Sequence, residues 1–523
     1  MSHFRLIKNS IVYSFIFISG FSFGQGTAYS VEDSYTTFKD MNDNDPRKLR
    51  DKSQRDEDNF LEDEDYIYYT GRIWETISLT RISKKNPSRS ITSQIKLPLG
   101  NMLLHSGLRD NEFYIVYYEL IRGKNRKPVR LMYRTYDFDK NDWTSEPIVY
   151  VKPHYELMYY AVSTMSLGYS THPFTKRTSA DKKNTIYTYS PLYPEKQDQA
   201  KISVAFSNDG KMEWHESYTL PWTTANGKWF QTLLSNDGSV YLVFGVNEEG
   251  LGHRYGYQLK TVQLNSDGSF NVSNLNLPFS SFNPSMQLLD HPEHGKILMA
   301  QGGLDKRSQN QLFYGQFLKD GSVFKPRQID LSAIRSNTYS KSISTSSKFQ
   351  ERFLSPLQMY DFKILNDGEV LVEFQSYYIS SSSLTFYGVG LIKFDIPTES
   401  VSWASYLPIN HSVTDAALIK YKHLNTENAS HIILAVSNRH VNLQENKPLS
   451  PTRIWFPTNT ILICYSFSHR SGQMTAQVLC NPEKDKVPSI FIPKHCVYTD
   501  DQVIMDTRTP SGKRSILTIP VKL

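Results

Sequence analysis

Cysteine is scarce in this chain: 523 residues contain only Cys464, Cys480 and Cys496, all near the C-terminus. Their spacing is not that of a zinc site, so no metal centre is implied. In an oxidising compartment they allow one disulfide and one free thiol. Cys464 and Cys480 fall on the two arms of a hairpin turning near Ser471-Gly472, which would bring them close; three buried thiols are the alternative. Charge of one sign is also scarce, with 58 Lys+Arg against 52 Asp+Glu and a formal net charge of +6. That balance does not argue for nucleic acid. Phosphate loops, dinucleotide fingerprints and Gly-x-Ser-x-Gly elbows are absent, so no cofactor is implied. No amphipathic helical stretch of convincing length occurs either.

Apolar runs are limited to one, at the N-terminus. Arg5 and Lys8 form a basic region ahead of the uncharged Ile11 to Phe23, and Ser22-Phe23-Gly24 offers small residues for cleavage near Gly24. Residues 1–24 are therefore expected to be a signal peptide, the run being short for a membrane span. No later segment is apolar enough to span, which predicts a soluble protein, secreted or periplasmic. Residues 25–64 are rich in Asp, Lys, Arg, Ser and Asn and predict a disordered charged linker, since such a composition cannot bury enough apolar surface to fold.

From about residue 65 to 523 the character changes. Aromatic content is 13%, with 33 Tyr and 28 Phe, which favours strands. Asp-Gly turns recur at Asp209-Gly210, Asp237-Gly238, Asp267-Gly268, Asp320-Gly321 and Asp367-Gly368, each flanked by alternating apolar residues. Asp-Gly suits the positive φ angles of tight hairpins, and their regular recurrence signals a repeat. Leu-Pro pairs at Leu97-Pro98, Leu220-Pro221, Leu277-Pro278 and Leu407-Pro408 close several units. The pattern predicts an all-β propeller of four-stranded antiparallel blades, near 100–153, 157–222, 230–278, 282–332, 359–408 and 413–483. Tyr66 to Pro98 and Lys494 to Leu523 each have room for two or three strands. Joined, they make a composite blade that closes the ring, giving seven blades, with six or eight as alternatives.

In such a ring, the loops joining second to third strands share one face with those joining successive blades. Those segments carry Arg122, Lys124, Arg126 and Lys127, then His253 and Arg254, then Lys306 and Arg307, then Arg439, His440 and Arg453. The segment Ala333 to Phe353 adds Arg335, Lys341, Lys348 and Arg352, and Tyr255, Tyr377, Tyr378 and Trp455 lie among them. A cationic rim with aromatics suits an anionic glycan or glycoprotein, since Arg grips carboxylate or sulfate and aromatic faces stack on sugar rings. Acidic Glu248, Glu249, Asp305 and Glu445 interrupt it, as they would on an ordinary solvated surface. Candidates for acid–base work are His154, His172, His253, Arg254 and Tyr255, which could together serve as base, acid and charge neutraliser on a uronic acid. His291 and His294, in Asp290-His-Pro-Glu-His-Gly295, resemble a metal pair by type, but a short hairpin there makes turn chemistry the expected role.

Ser207-Asn-Asp-Gly-Lys-Met-Glu-Trp214 resembles a degenerate Asp box, the Ser-x-Asp-x-Gly-x-Thr-Trp turn of sialidase-type propellers. Lys211 and Glu213 replace the expected Gly and Thr, and Arg72-Ile73 lacks the sialidase context of a catalytic arginine. Secreted propeller lyases space two histidines about as His154 and His172 are spaced, but Phe230 and Val246 stand where their Tyr and Arg would be. The expectation is a secreted propeller binding an anionic glycan or glycoprotein on its loop face. The alternatives are a polysaccharide lyase or glycoside hydrolase acting on that face, and a protein-binding scaffold.

Overall fold

The computed structural model describes residues 27–30 and 60–521, apart from 74–75, 87–89, 97–101, 110–111, 121–126, 141, 144–147, 152–155, 158–173, 190–198, 248–256, 278–284, 303–310, 330–356, 366–367, 380–383, 414–420, 438–451, 454–459, 488–489, 500–501 and 509–513. Eight sheets are each built on four antiparallel strands hydrogen-bonded in order; in seven of them the four come from one stretch of chain, and in the eighth the outermost strand comes from the opposite end of the chain. They are the blades of a β-propeller. Blade I comprises β2 (Phe60–Glu62) to β5 (Ser90–Lys96), and blade II is built on β6 (Met102–Arg109), β7 (Glu112–Leu120), β8 (Lys127–Asp137) and β10 (Ile148–Val151). Blade III runs from β12 (Phe174–Thr178) to β15 (Lys211–Thr223), blade IV from β16 (Gly227–Leu234) to β19 (Phe270–Asn274), and blade V from β20 (Ser285–His291) to β23 (Val323–Ile329). Blade VI runs from β24 (Leu357–Ile364) to β27 (Ser400–Val413), and blade VII from β28 (Lys422–Asn425) to β32 (Met474–Cys480).

The ring closes differently from the sequence expectation. The two chain ends do not merge into one blade; each completes its own, so there are eight blades rather than seven. Blade I finds its innermost strand in Phe60–Glu62. Blade VIII takes β33 (Ile490–Thr499), β34 (Gln502–Arg508) and β35 (Arg514–Pro520), and its outermost strand is β1 (Thr27–Ser30), paired from Thr27↔Thr518 to Ser30↔Ser515. Both extra strands come from the segment read as a disordered linker. The reason is physical: an outer strand needs main-chain hydrogen bonds along one edge and little apolar content. Composition averaged over 25–64 therefore hides it. The rest of that segment, and residues 1–26, lie outside the described residues.

The core is a set of seams between blades rather than one central cluster. The seam between blades III and IV holds Ile202, Val204, Tyr218, Leu242 and Val262, and that between VI and VII holds Leu371, Leu391, Ile432 and Ile463. Cys464, Cys480 and Cys496 all sit in the seam between VII and VIII as free, buried thiols, so the hairpin does not join Cys464 to Cys480. Burial pushes the thiols of Cys464 and Cys496 up to about 12. Among the described residues no helix is long and apolar enough to cross a membrane.

First-to-second and third-to-fourth strand connections within a blade span two to six residues, except that ten residues separate the third and fourth strands of blade II, and they share one face. Each described Asp-Gly turn belongs to this face. At Asp209-Gly210 both residues have positive φ, 43° and 74°, as a two-residue hairpin requires. Trp214 then stacks on Phe206 at 5.4 Å, so the Asp-box-like stretch works as a turn. The turns also staple neighbouring blades. Tyr218 of blade III donates to Asn265 O in blade IV at 2.6 Å, and Thr261 of blade IV donates to Gly321 O in blade V at 2.7 Å. Trp403 of blade VI donates to His469 O in blade VII at 2.8 Å. Asp237 pairs with Lys296 of the next blade at 2.7 Å. Burial alone would raise the Asp237 carboxyl, but Lys296 and the Ser235 and Ser239 hydrogen bonds outweigh it and hold the group far below the usual range.

Candidate functional site at the inner edge of blades VI and VII

Most of the residues singled out from sequence lie outside the described residues. Arg122, Lys124, Arg126, His154, His172, His253, Arg254, Tyr255, Lys306, Arg307, Arg439, His440 and Trp455 all lie outside the described residues, as do Arg335, Lys341, Lys348 and Arg352. Their flanking strands are described. β7 ends at Leu120 and β8 begins at Lys127; β17 (Val240–Val246) and β18 (Gln258–Leu264) bracket His253 and Arg254; β21 (Gly295–Gly302) and β22 (Gln311–Phe317) bracket Lys306 and Arg307. In each pair the second strand ends and the third begins on the face opposite the tight turns. Arg453 belongs to a short strand, Thr452–Arg453, that adds in parallel to the end of β27. Tyr377 and Tyr378 lie in β25 (Val370–Ile379), with side chains outside the described set.

Three histidine clusters within the described residues are closed. His291 Nδ1 accepts from the backbone N–H of Glu293 and His294 at 3.1 and 3.2 Å, and its Nε2–H donates to Gly368 O at 2.9 Å. That is turn chemistry, as expected from sequence, and it ties blade V to blade VI. His105 meets Lys176 Nζ at 2.9 Å on one ring nitrogen and Tyr114 Oη at 3.3 Å on the other, across the seam between blades II and III. His431 bonds Ser466 Oγ at 2.8 Å and Thr426 Oγ1 at 3.0 Å. With both nitrogens engaged in each case, none has a lone pair or proton to spare for a ligand.

A fourth cluster is open. It starts from the first strand of blade VI, where the inner strands pack side by side around the axis. Gln287 of β20 donates to Tyr360 O at 2.6 Å, and Gln231 of β16 donates to Met286 O at 2.8 Å. The register of β24 against β25 slips between Met359 and Asp361, a β-bulge centred on Tyr360. Bulges re-aim side chains. Here two successive residues, Tyr360 and Asp361, are both exposed, where alternation would bury one of them. Lys363 follows two residues on, half-buried, and its ammonium makes no hydrogen bond or ion pair among the described residues. Burial pushes it down to about 8, against the pull of Glu373 and Asp361.

Behind this strand, Glu373 of β25 stands opposite Asp361 and is buried. Its carboxylate accepts from the Tyr421 hydroxyl on one oxygen and bonds His423 Nδ1 on the other, both partners reaching in from blade VII. Gln375 Nε2 donates to the Tyr421 hydroxyl at 2.9 Å, so that phenol is fully engaged. Burial, then Glu373, holds it far above its ordinary range. A carboxylate acceptor on Nδ1 orients the imidazole, and His423 Nε2 is left buried with no partner. The arrangement can orient the His423 ring, offer Lys363 to an anion, and offer Asp361 and Tyr360 to a polar ring. Sequence reading missed it, although Glu373 in the run Val-Leu-Val-Glu-Phe-Gln was a signal: a carboxylate in the middle of an apolar second strand needs a reason.

No family model matches this chain, and no curated protein does. Among solved structures the chain is similar to the polysaccharide lyase Uly1, with a TM-score of 0.37, 8% identity, and 88% of this chain and 89% of that one covered. It is similar to an ulvan lyase of polysaccharide lyase family PL25, with a TM-score of 0.34, 10% identity, and 80% and 91% covered. It is also similar to a puromycin-hydrolysing peptidase of Mycobacterium tuberculosis, with a TM-score of 0.32 and 9% identity over 86% of this chain. The chain spans half the length of that peptidase, 50% of it. The propeller itself rests on the eight sheets described above.

Proposed function

We propose that this propeller is a secreted or periplasmic recognition protein that holds an anionic glycan or glycoprotein against the face opposite its tight turns. The observation that carries this reading is strand polarity. The strand ends bracketing Arg122–Arg126, His253–Tyr255, Lys306–Arg307 and Arg439–Trp455 share that face. In this reading the cations of blades II, IV, V and VII act together on a polymer with repeated negative charge. The test is a glycan array at low and moderate salt. Acidic glycans are expected to bind and to weaken as salt rises, since an exposed cationic rim is screened. Binding indifferent to salt would sink the electrostatic reading, and no glycan binding at all would favour a protein-binding scaffold.

A second reading is a glycan-active enzyme, a polysaccharide lyase or glycoside hydrolase. It is supported by the Glu373–Tyr421–His423 set, where a carboxylate orients an imidazole whose second nitrogen is unfilled. Acidic polysaccharides incubated with the protein are then expected to yield unsaturated ends or new reducing ends, and His423→Asn would abolish both. Neither product from any uronate-bearing polymer would remove this reading.

A further inference from the structure

We infer that Tyr360, Asp361 and Lys363 form a sugar subsite on the inner wall of blade VI, with a ring stacked on Tyr360, a ring hydroxyl donating to Asp361, and an acidic substituent on Lys363. The inference rests on the anionic-glycan reading above and gives it a place and a ligand chemistry. Three independent features support it.

The first is the bulge. An inner strand of regular alternation would present every second side chain to one side, yet the slip at Tyr360 leaves that residue 47% exposed beside an exposed Asp361. Among the other described residues the large exposed apolar side chains are Ile91, Val272 and Phe324, all on outermost strands. Tyr360 is the member of this group on an innermost strand, next to the axis. An exposed tyrosine face with an acid beside it is the pairing that sugars require, apolar C–H surface on one side and hydroxyl donors at the edge.

The second is the unpaired Lys363. A half-buried ammonium normally finds an acceptor, because leaving it without one forfeits hydration for nothing. Lys363 feels Glu373 and Asp361 at longer range but bonds neither, so a carboxylate or sulfate arriving from outside would meet a donor already partly stripped of water. The third is rigidity behind the strand. Glu373, held by Tyr421 and His423, fixes the second strand, and the Tyr360 and Tyr421 rings lie 6.4 Å apart, so the platform is braced by blade VII.

The test uses the full chain and two monosaccharide probes, glucuronic acid and glucose 6-sulfate, each too small to bridge the cationic face. Saturation-transfer NMR is expected to show both sugars contacting the wild-type protein. Binding should fall roughly tenfold in Tyr360→Ala, and the preference over uncharged glucose should vanish in Lys363→Met. Because Tyr360 is exposed, its replacement should leave the unfolding midpoint unchanged, which separates lost binding from lost folding. No transfer to either sugar, or equal transfer in Tyr360→Ala, overturns the subsite. Heparin retention read in Arg254→Ala/Arg307→Ala tests the face instead. Polymer binding that depends on those arginines, without monosaccharide contact, would leave the face reading standing and the subsite refuted. Monosaccharide contact without retention would do the reverse.

Discussion

The two faces of the ring are built by opposite rules. On one, the connections within a blade are short in all but blade II, and the turns double as staples to the next blade through Tyr218, Thr261, His291 and Trp403. Acid side chains there are consumed by structure: Asp237, Asp267 and Asp320 cap their own turns, accepting from Ser239, Ser269 and Ser322 at 2.9 Å each. On the other face, connections reach the length of residues 330–356. Substitutions on the first face should therefore change stability and leave binding alone, while substitutions on the second should do the reverse. The variants below are ordered by how hard they push on that contrast.

Trp403→Ala should have the largest effect. The indole is 8% exposed, lies against Gly472 of blade VII and donates to His469 O. Its removal opens a cavity in the seam and strands a carbonyl, a loss of about 3–5 kcal/mol. Urea unfolding would read it, and a midpoint near wild type would mean that the turn face is not what holds blades VI and VII together. Acid should act on the same face. Burial, helped by nearby His423 and His469, pushes His431 down to about 4. Its unfolded value is near 6.5, so as pH falls the unfolded chain takes up the proton first. Stability is complete above pH ~6.5 and drains away between there and pH ~4, by roughly 3 kcal/mol in total. His431→Gln should flatten that part of the stability–pH curve; an unchanged slope would show that the imidazole is not buried as neutral.

Gly321→Ala is the next step down. Gly321 has φ +86°, and a Cβ there would lie 2.6 Å from Thr261 Oγ1, the hydroxyl that bonds its own carbonyl. Backbone strain and the displaced staple together should cost about 1–3 kcal/mol. A loss well under this range would mean that the two blades can slide apart at the turn without penalty.

How far sequence reached follows the same divide. The six middle blades and the Asp-Gly turns were legible because a tight hairpin leaves a local signature and apolar alternation marks the strands around it. Phe60–Glu62 and Thr27–Ser30 were not, because short strands in polar surroundings carry no such mark, and so the count came out at seven. The pairing of Thr27–Ser30 with Arg514–Pro520 joins residues nearly the whole chain apart, which no local pattern encodes. The Glu373–Tyr421–His423 set was hidden for a related reason: its members meet across two blades, and only the odd placement of Glu373 in an apolar strand hints at it. Polar residues in mid-strand are better pointers to the axis than histidines in long connections.

The smallest expected stability effect is the most discriminating. Arg254→Ala/Arg307→Ala removes two cations from the β17–β18 and β21–β22 connections and, on the proposed reading, should change folding free energy by no more than about 0.5 kcal/mol, the usual range for surface substitutions. Retention on heparin at low salt should nevertheless fall, and the remaining dependence on salt should be shallower, because fewer charges are left to be screened. Loss of stability together with unchanged retention would invert the contrast: these arginines would then be staples like Lys296, and the two faces would obey one rule. Unchanged stability with reduced retention keeps the faces distinct, one built to hold the ring and one to meet an acidic partner.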